Sequence, residues 1–93
     1  MGPKNLHCVK SIYYGRVQGV GFRQTVVDLA RQQFLSGRVK NLDDGSVEFT
    51  AEGSKEKIDS LLRLIENKFS KNITGLNTTI ISPRGYVDFK VEY

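Results

Sequence analysis

Cysteine and histidine are almost absent from this sequence of 93 residues, which contains one of each, Cys8 and His7, and no tryptophan. A single cysteine cannot close an internal disulfide, and a zinc site needs several Cys or His ligands. The sequence therefore excludes a fold stapled by internal disulfides, and we expect no metal site.

Long apolar runs are missing as well. Purely apolar stretches extend over only a few residues, whereas roughly 20 are needed to cross a bilayer, and no apolar signal segment follows Met1. A chain of this length can bury a single core of two layers and little more. We therefore expect one domain over residues 1–93, and a cytoplasmic monomer with no membrane partner.

The charge balance has a modest positive excess. Fourteen Lys and Arg side chains against ten Asp and Glu side chains give a formal net charge of +4. This excess favours an anionic partner, but it is also common in proteins whose charges only maintain solubility. The positions of the basic side chains have to distinguish the two.

The first half of the chain predicts a strand, a helix and a hairpin. Residues 7–14 predict a strand, and residues 22–34 repeat apolar side chains at helical spacing, with Gly37 as the left-handed residue that ends the helix. Residues 38–42 and 46–52 flank a tight turn of small acidic residues and glycine, which predicts a hairpin. In its second strand, one face is predicted to be buried (Val47, Phe49 and Ala51) and the other wet (Glu48, Thr50 and Glu52).

The second half predicts another helix and two further strands. Ser54 is a plausible N-cap for a helix whose apolar residues fall on one stripe: Ile58, Leu61, Leu62, Ile65 and Phe69. Residues 71–75 predict a turn and residues 78–82 a strand. After a break at residues 83–85, a last strand is predicted from the alternation of Val87, Phe89, Val91 and Tyr93.

Two striped helices and a sheet with one polar face share a core only if both helices cover the same face. The predicted fold class is therefore α+β, a two-layer sandwich on a mixed, mainly antiparallel sheet. A right-handed crossover sets the first two strands parallel, and the third strand inserts between them. The carboxyl ends of the first two strands then meet at one edge, which brings Tyr14 and Asn41 near each other.

The segment between the first strand and the first helix is the strongest candidate for chemistry. Three glycines, Gly15, Gly19 and Gly21, occur within seven residues. Glycine permits backbone angles that turn successive N–H groups inward, and the following helix adds free N–H donors and the positive end of its dipole. Arg23 falls in the first helical turn, where its guanidinium can reach a bound anion, and Arg16 is expected to add charge at the rim.

Nucleotide cofactors are not indicated by this loop. The dinucleotide fingerprint needs glycine where Gln24 stands, and no Gly-Lys-Ser/Thr sequence ends a phosphate-binding Walker loop. A short nest with one arginine fits a single phosphate group, and no magnesium ligand set is apparent. We therefore expect no cofactor.

Two motifs resemble one known family. The run Gly15-Arg16-Val17-Gln18-Gly19-Val20-Gly21-Phe22-Arg23 is similar to the signature loop of the acylphosphatases. The run from Gly37 to Val47 is similar to the hairpin of that family at the expected distance. The resemblance implies a ferredoxin-like sandwich that hydrolyses acyl phosphates to a carboxylate and inorganic phosphate without a metal or cofactor.

The same resemblance implies roles for individual residues. Arg23 would bind the phosphoryl group together with the loop amides, and Asn41 would position the attacking water. The binding loop would comprise Gly15, Arg16, Val17, Gln18, Gly19, Val20, Gly21 and Phe22. Arg38 and Val26 depart from the family pattern, which usually has a large aromatic residue and a threonine at these positions.

The chemistry of an acyl phosphate suits so sparse a site. Its leaving group is a carboxylate of low pKa, which departs without a general acid. What remains is to neutralise the phosphoryl oxygens and to orient a water molecule, for which arginine, backbone amides and a side-chain amide suffice. The bound phosphoryl group can itself accept the proton of the water. Tyr14 and Lys40 are further candidates beside the loop, although sheet residues of this kind are more often structural.

Two other functions share this order of elements. An RNA-binding module would carry a basic and aromatic run on its third strand, whereas this strand carries Glu48 and Glu52, which would repel phosphates. We therefore expect no nucleic-acid partner. A catalytically silent anion sensor would keep the loop, and only an assay separates it from an enzyme. Inorganic phosphate, as product and inhibitor, is the other expected partner.

Overall fold

Two helices and five strands follow one another in the predicted order in the computed structural model, which describes residues 6–93; residues 1–5 of the predicted domain lie outside this range. The elements are β1 His7–Gly15, α1 Phe22–Gln32, β2 Ser36–Asn41, β3 Val47–Gly53, α2 Lys55–Lys68, β4 Ile73–Ile80 and β5 Phe89–Val91. Neither of these helices is both long enough and apolar enough to span a membrane.

The sheet has the strand order β4-β1-β3-β2-β5, so that β3 lies between β1 and β2. β3 is antiparallel to both neighbours, which makes β1 and β2 parallel, as the crossover through α1 predicts. β5 adds to the outer edge of β2 in a parallel orientation, with Val91 opposite Val39. The predicted α+β sandwich with an inserted third strand is confirmed.

The core lies between the sheet and both helices. Val47, Phe49 and Ala51 are buried on the inner face of β3, as their alternation predicts. The predicted stripe of α2 is confirmed. Leu62 is half-buried, and the other four members of the stripe are buried, namely Ile58, Leu61, Ile65 and Phe69. The Ser54 hydroxyl accepts a hydrogen bond from the Lys57 backbone N–H at 3.3 Å, which confirms the predicted N-cap.

Helix α1 ends earlier than predicted, and a different residue ends it. The helix stops at Gln32, and Phe34 rather than Gly37 adopts the left-handed conformation, with φ of 59°. The Leu35 N–H then bonds to the Ala30 carbonyl at 3.0 Å and the Leu35 side chain is buried. Burial of a leucine is worth roughly 1.5–3 kcal/mol, which outweighs the cost of about 1–2 kcal/mol of placing Phe34 in this region.

Gly37 serves a different purpose. It lies within β2, where a side chain would collide with the Thr50 carbonyl oxygen and the Phe89 ring. Its N–H donates to the Asp88 carbonyl oxygen at 2.8 Å. The glycine therefore allows the segment that precedes β5 to lie close against β2.

The prediction of a wet outer face is wrong at Thr50, which is buried, and at Glu52. The Glu52 side chain is only 4% exposed, and its carboxylate accepts hydrogen bonds from the backbone N–H groups of Arg84 (2.7 Å) and Gly85 (3.1 Å). The segment from residue 81 to residue 88 therefore covers this end of the outer face. Glu48 keeps polar surroundings. Its carboxylate oxygens lie 3.7 Å from the Lys10 Nζ and 3.8 Å from the Lys40 Nζ.

Cys8 lies beneath the same covering segment. It is fully buried beside Glu52, and burial, followed by the negative charge of Glu52, raises the pKa of its thiol to about 11. The thiol therefore stays protonated near neutral pH and is a poor nucleophile.

The last two strands differ from their predicted boundaries. β4 begins at Ile73, inside the predicted turn, and ends at Ile80, because it pairs along almost the whole of β1. β5 is limited to residues 89–91, and the side chains of Val87 and Tyr93 are exposed. Phe89 is the buried residue that anchors β5. Backbone pairing, rather than side-chain alternation, determines these boundaries.

Candidate active site

The glycine-rich loop joins the end of β1 to the start of α1, beside the end of β2. Gly19 (φ 78°) and Gly21 (φ 80°) occupy left-handed backbone conformations that other residues adopt only with strain. Gly15 lies so close to the Asn72 carbonyl oxygen and the Thr74 backbone nitrogen that a side chain would collide with both. The glycines therefore turn the loop and allow it to lie against the start of β4.

Hydrogen bonds fix the loop at its middle and at its start. The Gln18 side-chain amide donates to the carbonyl oxygens of Leu42 (2.8 Å) and Ser46 (2.9 Å), which belong to the turn between β2 and β3. The Arg16 N–H donates to the Asn72 carbonyl oxygen at 2.9 Å, and the Asn72 side-chain amide donates to the Arg16 carbonyl oxygen at 3.0 Å. Nothing in the local pattern of the sequence indicates these long-range partners.

Helix α1 presents an open N-terminus to the loop. Its N-cap is Gly21, which has no side chain to accept hydrogen bonds, and its first turn contains no acidic residue. The first backbone hydrogen bond to Gly21 comes from the Thr25 N–H at 3.0 Å. The N–H groups of the first turn therefore lack intrahelical acceptors and, with the helix dipole, favour an anion.

A cavity of about 180 Å³ opens between this helix start and the end of β2. Its walls come from the loop, α1, β2 and the end of the chain: Val17, Gly19, Gly21, Phe22, Arg23, Gln24, Asn41, Val91 and Tyr93. This space is large enough for a phosphoryl group.

The structure brings the two principal predicted residues, Arg23 and Asn41, to the same cavity. Four of the eight predicted loop residues line it, namely Val17, Gly19, Gly21 and Phe22, and four do not, namely Gly15, Arg16, Gln18 and Val20. Gly15 and Gln18 instead hold the loop in place, and the Arg16 residue is exposed.

Tyr14 and Lys40 do not line the cavity either. Lys40 pairs with Glu48 on the outer face of the sheet. Gln24, Val91 and Tyr93, which also line the cavity, were not predicted as site residues. Their positions depend on where α1 begins and on how β5 pairs with β2, and neither can be deduced from local spacing.

The polar groups of the cavity lack strong competing partners. Arg23 makes no ion pair with any other residue in the described range, and its Cζ lies 5.6 Å from the centroid of the Tyr93 ring. The Asn41 side-chain oxygen is buried and has no hydrogen-bond partner among residues 6–93. An unpaired buried acceptor costs about 1–3 kcal/mol, so this oxygen would gain from a donor such as water.

Metal ligands are not grouped at this site. Within the part of the chain that the structure describes, no three His, Cys, Asp or Glu side chains are placed to hold a metal ion together. Among the described residues that line the cavity, Arg23 and the backbone N–H groups at the start of α1 offer positive charge to an anion.

The two departures from the family pattern lie away from the cavity wall. Val26 is fully buried in the core. Arg38 is held by Asp88, with 2.9 Å between Nη1 and Oδ1, and its Cζ lies 4.9 Å from the centroid of the Tyr86 ring. Neither position lines the site.

Comparison with known proteins agrees with this architecture. The acylphosphatase family model matches residues 9–91. An acylphosphatase from Treponema denticola is 36% identical over 93 residues, which covers 99% of both chains. The crystal structure of acylphosphatase from Bacillus subtilis superposes with a TM-score of 0.87 at 39% identity, covering 94% of this chain and 99% of that one. The structure of an acylphosphatase from Coxiella burnetii gives a TM-score of 0.86 at 32% identity, covering 99% of this chain and 100% of that one. With this agreement along nearly its whole length, the chain belongs to the acylphosphatase family.

Proposed function

We propose that this protein hydrolyses the carboxyl–phosphate bond of small acyl phosphates, with Arg23 and the loop amides binding the phosphoryl group and Asn41 orienting the water. The observation that carries the proposal is the single cavity shared by Arg23, the uncapped start of α1 and the Asn41 side chain, whose oxygen is buried and unpaired. Cation, donors and acceptor are thus present together, as the reaction requires.

Binding of the phosphoryl group is the first step of this mechanism. The loop amides and the N–H groups of the first turn of α1 donate to its oxygens, and the planar Arg23 guanidinium can donate two hydrogen bonds in parallel. The backbone N–H donors are fixed before the substrate arrives, so they stabilise the charge of the transition state without reorganising. The acyl part of the substrate projects out of the cavity toward solvent.

Attack by water is the second step. The Asn41 side-chain oxygen accepts a hydrogen bond from a water molecule. This bond orients the water so that a lone pair on the water oxygen faces phosphorus. The new bond joins the water oxygen to phosphorus, while the bond from phosphorus to the acyl oxygen breaks. The leaving carboxylate takes the bonding electrons, and a phosphoryl oxygen takes the proton of the water. An amide is too weak a base to take that proton.

The proposal places the reaction in a monomer, in which Arg23, the loop and Asn41 of one chain line the cavity. No nucleic acid is involved: the third strand lacks a basic and aromatic run, and an RNA-binding module would need one. Of the two glutamates expected to repel phosphates, Glu52 is covered and only Glu48 faces the polar side of the sheet.

Phosphate release from a synthetic acyl phosphate is the direct test. We expect hydrolysis of acetyl phosphate, no comparable hydrolysis of an ordinary phosphate ester, and competitive inhibition by millimolar inorganic phosphate. The ester is the matched control, since its alkoxide leaving group needs an acid that this site lacks. Binding of phosphate without hydrolysis of acetyl phosphate would identify an anion sensor instead.

Chelation should leave the activity unchanged. Dialysis against a strong chelator is expected to preserve the rate of acyl phosphate hydrolysis, because arginine and backbone N–H groups supply the positive charge. Added magnesium should do no more than bind the substrate. Loss of activity on chelation, restored by a stoichiometric divalent ion, would contradict the proposed mechanism.

A further inference from the structure

We propose that Tyr93 is a positioning residue that holds the Arg23 guanidinium toward the phosphate cavity. The inference rests on the proposed function of Arg23. Tyr93 lines the same cavity, and its ring centroid lies 5.6 Å from the Arg23 Cζ. This separation is within the range of about 6 Å over which the face of an aromatic ring attracts a cation.

Arg23 has little else to hold its side chain. It forms no ion pair with any residue from 6 to 93, whereas Arg38 is held by Asp88 at 2.9 Å and Arg31 by the Phe89 carbonyl oxygen at 3.1 Å. An arginine side chain has many rotamers. A neighbour that favours the cavity-facing rotamers increases the fraction of the protein that is ready to bind phosphate.

The backbone beside Tyr93 is fixed. The Glu92 N–H donates to the Val39 carbonyl oxygen at 2.7 Å, and Val91 lies opposite Val39 in the parallel ladder. Asn41 ends the same strand β2 two residues later. The pairing of β5 with β2 therefore delivers Tyr93 and Asn41 to one cavity.

An aromatic ring suits this role better than a carboxylate would. A carboxylate would accept hydrogen bonds from the guanidinium N–H groups and compete with the phosphoryl oxygens for them. The face of a ring attracts the cation through its quadrupole and leaves those strong donors available. Because Tyr93 is fully exposed, the attraction is screened by water, and we expect an effect of about two- to fivefold on phosphate affinity.

Three variants test the proposal. Tyr93→Leu should raise the inhibition constant of inorganic phosphate and the KM for acetyl phosphate by about two- to fivefold, while Tyr93→Phe retains the wild-type values because it keeps the ring. Tyr86→Leu is the matched control, since it removes a ring 4.9 Å from the Cζ of Arg38, away from the cavity wall. It should leave both constants unchanged.

A spectroscopic measurement separates positioning from a general loss of structure. The Arg23 Nε–H resonance should report greater side-chain mobility in Tyr93→Leu than in the wild type. A titration with inorganic phosphate, followed by the same resonance, measures phosphate affinity in the absence of turnover. In an Arg23→Ala background, Tyr93→Leu should have no further effect on phosphate affinity. Equal phosphate affinity in the wild type and Tyr93→Leu, or a loss of affinity in Tyr93→Phe as large as in Tyr93→Leu, would overturn the proposal. Failure of the wild type to hydrolyse acetyl phosphate would instead overturn the proposed function, and the titration would still test the role of Tyr93.

Discussion

Replacing Arg23 by alanine is expected to lower kcat/KM for acyl phosphate hydrolysis by about two to three decades, which corresponds to about 3–4 kcal/mol of transition-state stabilisation. Among residues 6–93, the guanidinium is the one side-chain cation that lines the cavity wall, so no other described side chain there can take over its charge. Steady-state kinetics on acetyl phosphate measure the loss. The midpoint of urea unfolding should change little, because Arg23 has no ion pair to lose within the described chain.

Arg16→Ala is the matched control for this variant. It removes an equal charge from the loop that precedes α1, but Arg16 is exposed and does not line the cavity. We expect at most a small change in rate that disappears at high salt, as for a remote surface charge. If the Arg23 variant retained activity, or if both variants lost the same activity, the assignment of Arg23 to the phosphoryl group would be wrong.

Asn41→Ala should lower kcat by about two decades while phosphate affinity changes little, because the anion-binding donors are retained. The measurement is kcat together with the inhibition constant of phosphate. A variant with normal turnover and weakened phosphate binding would refute this division of labour between Asn41 and Arg23.

The other interpretation of Asn41 is a purely structural cap of the hairpin. The structure gives that role to Asp44, whose carboxylate accepts hydrogen bonds from the Ser46 N–H (3.0 Å) and the Ser46 hydroxyl (2.5 Å). These bonds lower the pKa of Asp44, with the hydroxyl bond as the larger cause. Asp44→Ala should therefore destabilise the fold and spare kcat, which is the reverse of the pattern expected for Asn41→Ala. Urea unfolding and kinetics on both variants distinguish the two roles.

Patterns that depend on neighbouring residues were sufficient to predict much of this fold. The N-cap at Ser54 and the stripe of α2 are local features, and the inserted position of β3 follows from chain connectivity. The end of α1 was predicted wrongly because burial of Leu35 dominates over the preference for glycine in the left-handed region. The covering of Glu52 was missed because its partners, the N–H groups of Arg84 and Gly85, are distant in sequence.

The candidate site likewise combines features set by neighbouring residues with features set by residues distant in sequence. The position of Arg23 could be predicted from the loop, because Arg23 is the second residue of the helix that follows the loop. The role of Asn41 came from resemblance to a family, and the strand order explains how this residue reaches the cavity. Tyr93 was predicted only as the end of an alternating strand, because its place beside Arg23 depends on the parallel pairing of β5 with β2.

The double hydrogen bond from Gln18 has a consequence for how this enzyme can evolve and be redesigned. The Gln18 side chain holds the glycine-rich loop against the carbonyl oxygens of Leu42 and Ser46, on either side of the hairpin turn that follows Asn41. A longer or shorter turn would move one of these carbonyls and release the loop. Changes in length should therefore be tolerated poorly at residues 43–45, even though these residues are exposed. Insertions that alter the cavity rim are better placed outside this turn.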